Sequence, residues 1–166
     1  MTEQQLSLFH FYNGWDAYQQ RLVAAIAPLT DEQLALRCSQ QHWSVGMLAT
    51  HIIATRAWWF HIRMGVGSED IAPLALWDRW DEMEVPTRST AELVAGLEQT
   101  WQMIQHALQN WTPADLEQAI PHPDGAHLAA RPRQYIIWHT LEHDIHHGGE
   151  ISLILGAHGL ASVNLE

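Results

Sequence analysis

The sequence predicts an all-α protein, a four-helix bundle, on three observations. Four long stretches repeat apolar residues at three- and four-residue spacing, no stretch alternates like a half-buried strand, and Pro- and Gly-containing segments separate the helical patterns. At 166 residues the chain is expected to form one domain, 1–166, large enough to bury roughly 70% of its unfolded surface around a single core.

The first pattern runs roughly from Gln4 to Ala27, with Leu8, Phe11, Trp15, Tyr18, Leu22 and Ile26 as its inward stripe, and Pro28 with Thr30-Asp31 ends it. Gly14 weakens it by about 1 kcal/mol relative to alanine. The second opens at Ser44, a natural N-cap, with Trp43 and Leu48 spaced for a hydrophobic staple. Val45, Leu48, Ile52, Thr55 and Trp59 form its stripe, His51 lies on the shoulder, and Met64-Gly65-Val66-Gly67 supplies the stop. Residues 68–87 are a long crossover in which Leu76-Trp77-Asp78-Arg79-Trp80-Asp81 reads as a short helix. The third helix starts with a capping-box spacing from Ser89 to Glu92, continues through Leu93, Leu97, Thr100, Ile104 and Leu108, and ends near Asn110. Residues 111–132, with four prolines, form a second loop of the size that often rims a site.

The last helix carries the chemistry. Its stripe reads Ile136, Thr140, His143, His147, Ile151 and Ile154, so imidazoles stand where leucines would normally pack. Residues four apart share one helix face about 6 Å apart along the axis, so His143 and His147 can reach one metal ion. Two histidines on one helix chelate weakly. An inward His51 from the second helix adds a third corner and leaves coordination positions open. His139 and His146 are alternatives on neighbouring faces, and Asp144, Glu142 or Glu150 can orient a ligand ring through its other nitrogen. Glu150 is also a candidate fourth ligand or general base, against the simpler reading of a solvated helix charge. Gly148-Gly149 costs about 2 kcal/mol of helix propensity, so a ligand or a neighbouring helix must approach closely there.

The same composition excludes other chemistries. A net charge of −11, from 19 acidic and 8 basic residues, opposes a phosphate-tracking surface, so no nucleic-acid partner is expected. The N-terminal residues lack a targeting pattern and no apolar run reaches about 18 residues, so a cytoplasmic protein without a membrane partner is expected. Cys38 is the only cysteine, which excludes an internal disulfide and paired-cysteine metal motifs. No Glu-x-x-His, His-Glu-x-x-His or Gly-x-Ser-x-Gly occurs, disfavouring di-iron oxidases, zincin proteases and serine hydrolases of the elbow type. Trp58, Trp59, Trp77 and Trp80 either line a pocket or a dimer face, or belong to the core.

Trp43-Ser44-Val45 leading to Leu48 and His51, together with Glu142-His143-Asp144-Ile145-His146-His147-Gly148-Gly149-Glu150-Ile151, resembles the DinB/YfiT-like superfamily over nearly the whole chain. The resemblance implies up-down-down-up topology, a homodimer, and a divalent metal held by His51, His143 and His147, with Zn²⁺ or Ni²⁺ as the expected ion. Gly148 stands where many relatives carry Arg or another polar residue. The superfamily includes S-transferases and isomerases that use low-molecular-weight thiols such as bacillithiol or mycothiol. A metal-dependent thiol S-transferase or related hydrolase acting on a small molecule is therefore the expected activity, and a metal-stabilised, stress-related binding protein without catalysis is the alternative.

Overall fold

Local capping chemistry sets the helix starts in the computed structural model, which describes residues 7–78, 87–125 and 127–165. After a 3₁₀ turn at Leu8–His10, helix α1 spans Asn13–Ile26. A one-turn helix α2, Asp31–Leu34, follows at once because Thr30 and Gln33 form a reciprocal capping box, a start that the sequence pattern alone treats only as the end of α1. Helix α3 spans Val45–Ala57 under a Ser44 hydroxyl that accepts the Met47 N–H at 3.2 Å. It continues without a break into a π-helical segment, Trp58–Arg63, and stops at Gly65, whose φ of 68° only glycine adopts without strain. Helix α4, Thr90–Asn110, has the expected Ser89–Glu92 capping box and the expected end. Helix α5 spans Arg133–Ala157.

α3 is central, packing on both α4 and α5, while α1 packs on α4. Trp15, Leu22 and Ile26 of α1 meet Ile52 and Ile53 of α3, Leu97 and Ile104 of α4, and Ile137, Ile151 and Leu155 of α5 in one core. Among the described residues, no helix is long and apolar enough to cross a membrane.

Three details differ from the sequence pattern. Phe11 is 63% exposed, because the chain is still in the turn before α1 and the α-helical spacing does not yet apply. A 3₁₀ helix at Glu69–Leu76 precedes the stretch expected to be helical, of which Arg79, Trp80 and Asp81 lie outside the described residues. The 111–132 loop contains a 3₁₀ turn at Pro113–Glu117 and a minimal antiparallel pair, β1 (Ala119–Ile120) with β2 (Arg131–Pro132). The expected start near Gln4 lies outside the described residues as well.

The deepest line of α5 is Ile137, Thr140, Asp144, Gly148, Ile151 and Leu155, one step round from the predicted stripe. His143 and His147 are half-buried on its shoulder. Asp144 does not orient a histidine. It forms a fully buried ion pair with Arg56 of α3, whose Nε lies 3.1 and 2.9 Å from the two carboxylate oxygens and whose Nη2 lies 2.8 Å from one of them. The Trp15 indole N–H donates to the same carboxylate at 2.7 Å. Arg56 Nη1 donates to Gln19 Oε1 at 2.7 Å, and the Gln19 amide donates to the Leu97 carbonyl at 3.1 Å. One polar network thus ties α1, α3, α4 and α5 together inside the apolar core. Burial pushes the Asp144 carboxyl up from its ordinary value, and the Arg56 guanidinium and the Trp15 N–H oppose that shift.

The two adjacent glycines of α5 have opposite explanations. A Cβ on Gly148 would lie 2.0 Å from the Tyr18 hydroxyl, which donates to the Asp144 carbonyl at 3.3 Å. The close approach inferred at this pair is therefore a tyrosine of α1. A Cβ on Gly149 would meet nothing within 4 Å. Gly148→Ala is expected to destabilise the fold by about 1–3 kcal/mol through overpacking. Gly149→Ala is expected to stabilise it by about 0.5–1 kcal/mol through helix propensity. Urea unfolding of both variants checks the pair, and equal shifts would contradict the packing described.

Candidate metal centre

His51 projects from the middle of α3 and His143 and His147 from successive turns of α5, and the contact between these helices brings the three rings together. Ring centroids are 4.5 Å apart for His51–His143, 4.8 Å for His51–His147 and 4.4 Å for His143–His147. One nitrogen from each ring can be chosen so that all three lie within 4.8 Å of one another. The three residues expected from sequence thus converge, and His146, His147 and Glu150 form a second such group nearer the surface.

The second nitrogen of two rings is held by a carboxylate. His51 Nδ1–H donates to Asp78 in the crossover, and His147 Nδ1–H donates to Glu150 Oε2 at 2.6 Å. That pairing leaves each Nε2 as a lone pair, the form a metal requires, and raises its basicity. Glu150 thus orients a ring, as one sequence reading allowed. Asp78 was not foreseen, because its partner is 27 residues away and only the path of the crossover brings them together.

His143 Nε2 lies 2.8 Å from His51 Nε2 and 3.3 Å from Thr55 Oγ1, while its Nδ1 is buried with no hydrogen-bond partner among the described residues. Burial, and then the neighbouring imidazoles led by His51 and His147, lower the His143 pKa to about 2. Burial lowers that of His147 too, opposed by Glu150. Protons are therefore poor occupants of this space. Three imidazole nitrogens around it are the donor chemistry that suits a borderline divalent cation.

These shifts have a consequence for the metal-free protein. A histidine neutral when folded but with an ordinary pKa near 6.5 when unfolded takes up a proton on unfolding. His143 therefore contributes its full stability above about pH 6.5 and loses it progressively as pH falls toward its folded value of about 2. Each such proton tilts stability by about 1.4 kcal/mol per pH unit. Denaturation midpoints of the metal-free protein should fall between neutral pH and pH about 5, and His143→Leu should flatten that slope. An unchanged slope would contradict the buried neutral state.

The remaining candidates lie at the edge. His146 is exposed, with its ring 4.8 Å from His147, and His139 is half-buried against Tyr135 and Trp59. Glu142 is exposed, 4.0 Å from His139. Cys38 is exposed, and His42 pairs with Ser39 at 2.7 Å. Trp43, which shares a pocket lining with its expected staple partner Leu48, also borders the site. Its ring sits 4.8 Å from His51 and 6.0 Å from His147, covering the triad from one side. A cleft of about 650 Å³ opens beside His51 and His143, with Trp58, Trp59, Asp78 and Asp124 in its walls.

No curated protein matches the chain. Among solved structures it is similar to a DinB-like protein from Bacillus cereus ATCC 10987, with a TM-score of 0.72, 22% identity, and coverage of 96% of this chain and 98% of that one. The family model described as the DinB family matches residues 1–166. A match over that whole length places the chain in the DinB family.

Proposed function

We propose that this protein is a metal-dependent enzyme in which His51, His143 and His147 hold one divalent cation, Zn²⁺ or Ni²⁺, and that it transfers a low-molecular-weight thiol to a small electrophile. The observation that carries the metal reading is the convergence of three imidazoles, two with Nδ1–H anchored on Asp78 and Glu150. Three protein ligands leave coordination positions for a reactant, as in catalytic rather than closed structural sites. A cation held there supplies a Lewis acid that favours the deprotonated, nucleophilic form of a thiol at neutral pH.

The residues of the chain supply everything around that chemistry. Asp78 and Glu150 fix the tautomers of His51 and His147, Trp43 shields one side from water, and the cleft beside His51 and His143 gives a second reactant room to approach. In the transfer, the thiolate sulfur forms a bond to the electrophilic carbon, the bond to the leaving group breaks, and that group departs with the electron pair. The thiol proton passes to solvent. The chain's four long helices fit a four-helix bundle of up-down-down-up topology. We further read the protein as a cytoplasmic homodimer without nucleic-acid partners, supported by the exposed Trp138, Ile145 and Leu153 on α5 and by the net charge of −11.

The thiol reading is tested on cobalt-substituted protein. Added β-mercaptoethanol should change the visible ligand-field spectrum and speed consumption of a model electrophile such as chlorodinitrobenzene. If the thiol perturbs the cobalt spectrum without any acceleration, the transfer reading fails while the metal reading stands.

A further inference from the structure

The cleft beside the triad has a composition that the metal chemistry does not require. Trp43, Trp58 and Trp59 come from two sides of it, and Ala54 and Ala75 leave the space between them open. Trp58 and Trp59 are consecutive, and successive residues of a regular α-helix point about 100° apart. Both nevertheless face the same cleft, at the start of the π-helical segment Trp58–Arg63, with their rings edge to face at 4.8 Å. π-helical segments are rare and recur at functional sites. Both indoles are half-buried: they pack against the core and keep part of their surface on the cleft.

The charges of the cleft point the same way. Its acidic lining groups are Asp78, which holds His51, and Asp124, whose side chain stands 3.5 Å from the His122 ring and is still 75% exposed to solvent. Among the described lining residues there is no lysine or arginine. Arg63 stacks on the Trp59 ring at 4.9 Å and donates to the Ala129 carbonyl at 3.1 Å, so that guanidinium is already engaged. The whole chain adds to this field with its net charge of −11.

We propose that this cleft is a binding site for a planar aromatic molecule without negative charge, with the indoles of Trp58 and Trp59 as its ring platform and Asp124 at its mouth as a filter against anions. A volume of about 650 Å³ suits a ligand of one or two fused rings with a substituent reaching the triad. Indole faces bind flat rings by offset or edge contacts and attract cations, and they offer nothing to a carboxylate. The proposal deepens the reading of the triad as a metal centre by naming the class of the second reactant, but ring binding itself does not depend on the metal.

The test is therefore made on metal-free full-length protein, by calorimetric titration near pH 8, where imidazoles are neutral. Three probes share one ring system: 1-naphthalenemethanol, 1-naphthylmethylammonium and 1-naphthoate. The alcohol and the ammonium should bind, and the carboxylate should bind at least about tenfold more weakly. Trp58→Ala should weaken the alcohol by about tenfold or more, with the melting curve reporting whether the variant folds. Asp124→Asn, on an exposed side chain, should leave folding intact and narrow the gap between naphthoate and the alcohol. Naphthoate binding as tightly as the alcohol, a folded Trp58→Ala variant with unchanged affinity, or no binding of any probe would overturn the proposal. None of those outcomes bears on whether the triad takes up a metal, and failure to take up a metal leaves the ring platform as measured.

Discussion

Arg56→Ala and Asp144→Ala are each expected to cost about 3–5 kcal/mol of folding stability, enough to unfold much of a protein of ordinary stability. The reason is asymmetry. The intact pair is fully buried and further hydrogen-bonded by Trp15 and Gln19, so its net contribution relative to apolar packing is small. Removing one partner leaves the other charge in the core without compensation. Asp144→Ala strands a guanidinium whose other acceptors among the described residues are Gln19 Oε1 and the Leu97 carbonyl, and Arg56→Ala leaves a carboxylate held, among the described residues, by one indole N–H. The double variant Arg56→Met/Asp144→Leu should recover most of the loss, because no buried charge then remains. Chemical denaturation of the three proteins measures this directly. Single variants within about 0.5 kcal/mol of the parent would mean the pair is not buried as described.

The second large effect is graded metal affinity around the triad. His51→Ala, His143→Ala or His147→Ala should each reduce Zn²⁺ affinity by more than about 100-fold, since two imidazoles chelate weakly. Asp78→Asn and Glu150→Gln should cost less, about 10–100-fold, because they loosen the tautomer and orientation of His51 and His147 without removing a donor. Competition titration against a chromophoric chelator resolves both steps. The order matters more than either magnitude. Carboxylate variants that lose as much as ligand variants would make Asp78 or Glu150 a ligand, and carboxylate variants with parental affinity would remove them from the centre.

Much of this architecture was legible in the sequence because it rests on local signals. The start and end of α4 follow from Ser89, Glu92 and Asn110, and the start of α3 from Ser44, since capping is decided within a few residues. His51, His143 and His147 were legible because polar residues on an apolar stripe must find partners. The same rule marks Arg56, which follows Ile52 and Ile53 on the stripe of α3, and Asp144, four residues after Thr140 on that of α5. Two opposite charges on two core stripes signal a buried pair, and following the neighbouring stripe of Thr55 and His143 hid it. The remaining features are tertiary. Asp78 reaches His51 through the course of a crossover, Tyr18 meets Gly148 across a helix interface, and the π segment turns Trp58 and Trp59 together, none of which leaves a periodic trace.

The central claim is that the triad is a metal centre, and elemental analysis of the untagged protein tests it most directly. Inductively coupled plasma mass spectrometry on the parent and on His51→Ala, His143→Ala and His147→Ala should find about one divalent ion per chain in the parent and little in each variant. A metal-free parent that also fails to take up added Zn²⁺ or Ni²⁺ would contradict it, leaving three histidines that pack between α3 and α5.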